Sequence, residues 1–273
     1  MLDSAELIIT VRRMSSLRFA TLWDELLSEG VVATTAQELA QRAHTSVDSV
    51  YVATHRARAA NKLFSPAPGL YVLVPPEYRS WGAVPADWFI DDLMRHLGHD
   101  YYISLLSAAA MYGATHQAAQ LFQVMTDRRT SDRDVGNLKL RFYVCRDLGQ
   151  RPSQQLTGPT GRLTVATPET CALDLAERPK DAGGVTTLLE ILGELPIDAH
   201  ALDIAASNRP LAVARRCGWL LQRTDPDRDL TALRQRATRT RSNPTPLVPG
   251  GPARGQLDRT WNIVVNTMLE DTR

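Results

Sequence analysis

Two helix starts stand almost end to end between Thr35 and Asp48. Thr35-Ala36-Gln37-Glu38 has the form of a capping box, in which the threonine hydroxyl accepts from the Glu38 amide while Glu38 reaches back to the cap. The short helix it opens runs through Leu39 and Ala40 to Ala43. Thr45-Ser46-Val47-Asp48 then reads as a second start, with a helix through Val47, Val50, Tyr51, Thr54 and Ala57 to Ala60. So short a spacer forces a tight turn between the two helices. Upstream, Leu17, Phe19, Leu22, Trp23, Leu26 and Leu27 fall at helical spacing, and Gly30 closes that helix. Downstream, Leu63-Phe64 and the run Leu70 to Val74 flank Ser65-Pro66-Ala67-Pro68-Gly69, which predicts two strands about a proline–glycine turn. Helix, short helix, tight turn, longer helix and hairpin is the order of a winged helix-turn-helix, whose helix after the tight turn enters a DNA major groove. The competing reading is a trihelical unit that only packs on the rest of the chain.

Charge decides where such a unit could touch DNA. The 273 residues carry 31 basic and 30 acidic side chains, a net charge of +1, so no global field draws the chain to nucleic acid and any affinity must be local. Between residues 42 and 62, Arg42, Arg56, Arg58 and Lys62 face only Asp48. A core stripe of Val47, Val50, Thr54 and Ala57 leaves Ser46, Ser49, Val52, Ala53 and Arg56 on the opposite face. The candidate DNA-binding residues are therefore Thr45, Ser46, Ser49, His55, Arg56, Arg58 and Lys62. Ser46 and Ser49 sit near the helix N-terminus, where base edges or phosphates can be met. Arg56 can reach guanine or backbone, while His55, Arg58 and Lys62 suit phosphates; a merely solvated face is the alternative for each. Asp48 is read as a cap favoured by the helix dipole, not as a contact. Arg12, Arg13 and Arg18 could add a flank.

The remainder reads as a second region. Pro75-Pro76 and the stretch Trp81 to Pro85 suggest a boundary, giving residues 1–80 as a winged DNA-binding domain and 81–273 as a larger mixed α/β domain, the whole being α+β. Helices are expected from Ala86 to Leu97, Tyr101 to Tyr112, Pro168 onward, Val185 to Leu195, Ala199 to Ala206 and Leu211 to Leu221. Strands are expected at Leu121–Thr126, Leu138–Val144 and Arg162–Val165. A Pro- and Gly-rich tail, 242–260, precedes a short apolar segment at Trp261 that should dock. Arg209, Arg215, Arg216, Arg223, Arg228, Arg234, Arg236, Arg239 and Arg241 form a second basic cluster against Asp225, Asp227 and Asp229. DNA backbone, an acidic protein surface and plain water all remain open as its partner.

Signals for chemistry are poor. Nucleotide-binding, zinc-protease and hydrolase motifs are missing; His96 and His99 lack further ligands at useful spacing, and Ser131–Asp134 is a charged turn. No catalytic, cofactor-binding or metal residue is expected. The cysteines Cys145, Cys171 and Cys217 are unpaired in spacing and read as buried free thiols of a reducing compartment. The N-terminus lacks the charged-then-apolar order of a secretory signal, and no apolar run approaches the ~18 residues needed to span a bilayer. A cytoplasmic protein without membrane association is expected.

Several segments together resemble a known family. After the wing Gly69–Pro75 (GLYVLVP) come DWFIDDLMRHLG, the small apolar YYISLLSAAAMYG (Tyr101 to Gly113), the FQVMT strand and the helix from Pro168-Glu169-Thr170-Cys171-Ala172-Leu173-Asp174. This pattern is similar to the AbiEi family, the antitoxin half of bacterial AbiE-type (type IV) toxin–antitoxin systems. The resemblance implies a transcriptional autorepressor that binds double-stranded DNA at inverted repeats in its own promoter. It also implies a C-terminal domain that neutralises the cognate AbiEii toxin, a nucleotidyltransferase-like enzyme. DNA contacts would fall on Ser46 to Ala60 and on the wing around Pro66 to Gly69, and the toxin-directed role on the chain after about Ala86. One departure is that residues 1–75 hold seven cations and seven acids, which points to cooperative binding by two or more copies, a homo-oligomer on DNA. Two other functions compete: a winged regulator whose second domain senses a ligand or dimerises, with no toxin, and a nuclease delivered by the winged unit. The nuclease reading lacks the Asp…(Glu/Asp)-x-Lys pattern, and Glu177-Arg178-Pro179-Lys180 has the wrong spacing.

Overall fold

In the computed structural model, which describes residues 19, 21–115, 120–239, 242–252 and 254–268, the capping box at Thr35 forms as the sequence spells it. The Glu38 amide donates to Thr35 Oγ1 at 3.2 Å and the Thr35 amide donates to Glu38 Oε2 at 2.8 Å. That second bond holds the Glu38 carboxyl below the usual carboxylate range. Helix α1 covers residues 21–28 and ends at Gly30, whose φ of +76° is left-handed and lets Val31 N–H return to the Leu26 carbonyl at 2.9 Å. Leu17, expected on its inner face, lies outside the described residues, as do Arg12, Arg13 and Arg18.

Strand β1 (Ala33–Thr35), helix α2 (Ala36–Arg42), helix α3 (Val47–Ala59) and strands β2 (Leu63–Ala67) and β3 (Leu70–Leu73) follow. The strands pair antiparallel in the order β1-β3-β2, with Ala33 opposite Val72 and Leu63 opposite Leu73. β1 was not expected; three residues are too few to show a two-residue period. The start of α3 also differs from expectation. Its cap is Ser46, not Thr45, because His44 takes a left-handed φ of +48° and turns the chain one residue later. Asp48 is then a first-turn residue and not the cap. Phe19, Leu22, Trp23, Leu26, Leu39, Val50, Ala57, Leu63, Tyr71 and Leu73 form the core these elements share.

Compact packing divides the chain into two units. The first holds the residues up to Asp100 with Ser131–Leu140 and Thr157–Leu163, so it runs on through the Pro75–Pro85 segment read as a boundary. The reason is that Phe89 sets its ring edge-on to Phe64 at 5.3 Å, and helix α4 (Ile90–Leu97) packs on β2. The start of this helix is also later than Ala86, where a single 3₁₀ turn stands instead.

The second unit is a mixed α+β body. Its sheet orders β7 (Leu138–Val144), β5 (Leu121–Thr126), β4 (Tyr101–Ile103), β9 (Arg162–Ala166) and β8 (Ser153–Thr157). The remaining strand, β6 (Arg133–Val135), pairs with the opening residues of β7 in the first unit. The helix expected over Tyr101–Tyr112 is thus split: Tyr-Tyr-Ile is strand, as aromatic and β-branched residues favour, and helix α5 is Leu105–Met111. Helices α6 (Pro168–Glu177), α7 (Val185–Glu194), α8 (Ala199–Ala206), α9 (Leu211–Thr224) and α10 (Thr231–Thr238) follow. α6 starts where Pro168 predicts, capped by the Thr167 hydroxyl. The proline- and glycine-rich tail is ordered into β10 (Thr245–Pro246), β11 (Gln256–Asp258) and β12 (Ile263–Val265). Trp261 docks against α9 at Gly218, where an added Cβ would lie 2.1 Å from the ring. Among the described residues no helix is long and apolar enough to cross a membrane.

Candidate functional site

Helix α3 presents two contrasting faces. Val50, Thr54 and Ala57 are buried, and Val47 and Ala53 are half-buried against the same core. Ala53 therefore belongs to the inner side, not to the open face expected for it. Tyr51, beside the stripe, is 50% exposed. A 3.6-residue period centres the outer face on Val52, with Asp48 and Arg56 one turn to either side and His55 adjacent; all four side chains are exposed.

The sequence candidates distribute unevenly over this surface. Thr45 is half-buried in the tight turn, its amide donating to the Ala40 carbonyl at 3.0 Å. Ser46 Oγ accepts from the Ser49 amide at 3.3 Å and lies 3.0 Å from Ser49 Oγ, so the two serines are engaged with each other at the cap. His55, Arg56 and Arg58 are exposed, and neither arginine has an ion-pair partner among the described residues. Lys62 is half-buried; its amide donates to Ala57 and its carbonyl accepts from Val74 at 2.8 Å, joining α3 to the hairpin. Arg42 is tied to Glu29. The β2–β3 hairpin is braced: Pro66 and Ala67 are buried, Arg133 Nε donates to the Pro66 carbonyl, and His96 Nε2 lies 2.9 Å from the Pro68 carbonyl. Its turn thus exposes only Pro68, with Gly69 half-exposed. The structure leaves His55, Arg56 and Arg58 exposed on α3 and Ser46 exposed at its cap, with Thr45, Ser49 and Lys62 half-buried.

The second unit holds a buried ionic network that sequence reasoning missed. Asp174, on α6 and fully buried, accepts from Tyr102 Oη at 3.0 Å and Ser104 Oγ at 2.6 Å. It also accepts from Arg151 Nη1 at 2.8 Å and from Arg209. Arg209 Nη1 further donates to Glu177 at 2.9 Å, and Arg151 pairs with Asp147 at 3.0 Å. Burial beside a carboxylate pushes the Tyr102 phenol far above its usual range, and the acids around Arg151 raise its guanidinium despite burial. A signal existed: an aspartate inside the apolar run Cys171–Ala176 must be buried with a partner.

Three arginines of the expected basic cluster, Arg209, Arg215 and Arg216, are also buried. Arg215 donates from Nε to the Ala237 carbonyl at 2.9 Å, and through its other nitrogens to Asn243, Thr245 and Ser242. Arg216 Nε donates to the Pro246 carbonyl at 2.8 Å. Arg236 meets Asp203 through two bonds, Arg228 pairs with Asp225, and Arg223 lies over the Trp219 ring. Arg241 lies outside the described residues. Arg223, Arg234 and Arg239 are exposed, so the segment divides between exposed guanidiniums and the buried pair, Arg215 and Arg216, that holds the tail. Cys145, Cys171 and Cys217 are free and buried, and burial pushes the Cys145 and Cys217 thiols up to about 12. Among the described residues no three His, Cys, Asp or Glu side chains are grouped to hold a metal ion.

Comparison with known proteins agrees on the mixed α+β fold. The crystal structure of RV2827C protein from Mycobacterium tuberculosis is similar over 91% of this chain and 91% of that one, with a TM-score of 0.67 at 17% identity. No curated protein matches. Residues 102–223 match the model of the AbiEi antitoxin C-terminal domain. That segment, which contains the Asp174 network, belongs to the AbiEi family of toxin–antitoxin antitoxins.

Proposed function

We propose that this chain is an antitoxin that also represses its own operon, binding double-stranded promoter DNA through α3 and neutralising a cognate nucleotidyltransferase-like toxin through the region that contains residues 102–223, in the cytoplasm. The first unit reads as a winged helix-turn-helix: α2 and α3 are the crossed pair and β2–β3 is the wing. One observation carries the DNA-binding half. His55, Arg56 and Arg58 stay exposed on α3, the arginines without ion-pair partners among the described residues, whereas Arg215 and Arg216 of α9 are turned to internal carbonyls. A helix that keeps cations available over an apolar base is suited to a phosphate-lined groove. The wing carries no cation between Leu63 and Leu73, so α3 supplies the contacts, and inverted repeats bound by two copies make up for a small charge per chain.

A gel shift with the chain's own upstream DNA tests this. Binding that weakens steeply with salt is expected, and Arg56→Ala should reduce the salt slope by about 1 if Arg56 touches a phosphate. Lack of binding to every upstream segment at low salt overturns the repressor half. Coexpression with the adjacent reading frame tests the other half: growth restored by this chain supports neutralisation, and growth arrest unaffected by it counts against.

A further inference from the structure

We propose that Val52 is a specificity-determining residue of α3 that reads thymine through its 5-methyl group in the major groove. The inference rests on the DNA-binding reading of α3. Val52 is 58% exposed and stands outside the core cluster. A β-branched side chain there lowers helix propensity and gains no packing in return. It nevertheless occupies the middle of the outward face, one turn from Arg56 and next to His55.

The neighbouring groups narrow what this face can meet. The serines that sequence alone would enlist for base edges are bonded to each other at the cap. Asp48, one turn before Val52, is an exposed carboxylate that repels phosphate, so this line of the helix aims at base edges and not at the backbone. Arg56, one turn after, is positioned for phosphate or guanine. Between them lies an apolar contact surface. The thymine methyl is the apolar group that a base edge offers in the major groove, and the minor groove offers none.

The test uses the full chain and its upstream DNA amplified with either dTTP or dUTP, which removes every thymine methyl without changing base pairing. Wild-type protein should bind the uracil duplex about 4-fold more weakly for each methyl it contacts. Val52→Ser should bind the two duplexes alike while melting at the wild-type temperature, since the position is exposed. Equal wild-type affinity for both duplexes overturns the inference and leaves DNA binding standing. A thymine preference that persists in Val52→Ser also overturns it, because the methyls then act through duplex shape. Failure of wild-type protein to bind the thymine duplex at low salt sinks the DNA-binding reading itself, and this inference with it.

Discussion

Helices α3 and α9 are of similar length, 13 and 14 residues, and both carry closely spaced arginines, Arg56 and Arg58 in the last turn of α3 and Arg215 and Arg216 within α9. On α3, Arg56 and Arg58 end in solvent. On α9, Arg215 and Arg216 are buried, because the chain beyond α10 returns over them and offers the carbonyls of Ala237, Asn243 and Pro246. The difference comes from what the rest of the chain brings back, not from the helices themselves. A guanidinium has five donors in a rigid fork and is suited to gathering several acceptors from an irregular tail. The same side chain with no returning segment stays available to a ligand.

Asp174→Ala is the harshest way to break this contrast. It removes the buried carboxylate that Arg151 and Arg209 share, leaving them only the partly exposed Asp147 and Glu177, and a loss of about 3–5 kcal/mol is expected from urea unfolding, enough to cut soluble yield. Little change in the unfolding midpoint would show that the network admits solvent and is not the keystone of the second unit. Arg215→Ala should come next. It frees the tail of four acceptors and costs about 1.5–3 kcal/mol, with a change in tryptophan fluorescence as Trp261 loosens from α9.

These internal arginines also mark the limit of sequence reading. Local signals were legible: the Thr35–Glu38 box, the Gly30 stop, the span of α3, the hairpin and the start of α6 at Pro168 all depend on neighbours within a few residues. The fate of Arg215 depends on residues 22 to 30 positions away, and that of Arg209 on Asp174, 35 positions back. A charge in sequence does not state its partner, so the sequence leaves DNA, an acidic protein surface and water open where the structure shows Arg215 and Arg216 holding the tail. Tyr101–Ile103 failed for a related reason. Its pairing with Thr126, Met125 and Val124 on β5 overrides the helical pattern that continues after it. Of the seven candidates, Ser49, His55, Arg56 and Arg58 lie on α3, Ser46 caps it, and Thr45 and Lys62 flank it, while Val52 stands at the centre of the outer face.

Acid sharpens the comparison within the first unit. Glu38 is held below its usual range by the Thr35 amide, with Arg42 and the Thr34 and Thr35 hydroxyls adding to the effect. A carboxyl whose folded value is depressed contributes stability above its unfolded value and loses it as pH falls through the folded one. The support Glu38 gives to α2 should therefore persist at neutral pH and disappear below the ordinary carboxylate range. Amide exchange of residues in α2 is expected to accelerate there, and Glu38→Gln, which cannot lose a charge, should flatten that dependence.

The smallest expected effect on stability is the most telling for function. Arg56→Ala removes a side chain that supports no neighbour, so thermal unfolding should stay within about 0.5 kcal/mol of wild type, in contrast to Arg215→Ala. If α3 is the DNA-reading helix, the two variants separate: Arg215→Ala binds DNA in proportion to the protein still folded, whereas Arg56→Ala is fully folded and binds weakly. A marked stability loss in Arg56→Ala would mean that its guanidinium is engaged within the protein, and the distinction between an available arginine and an internal clamp would fail at the residue on which it most depends.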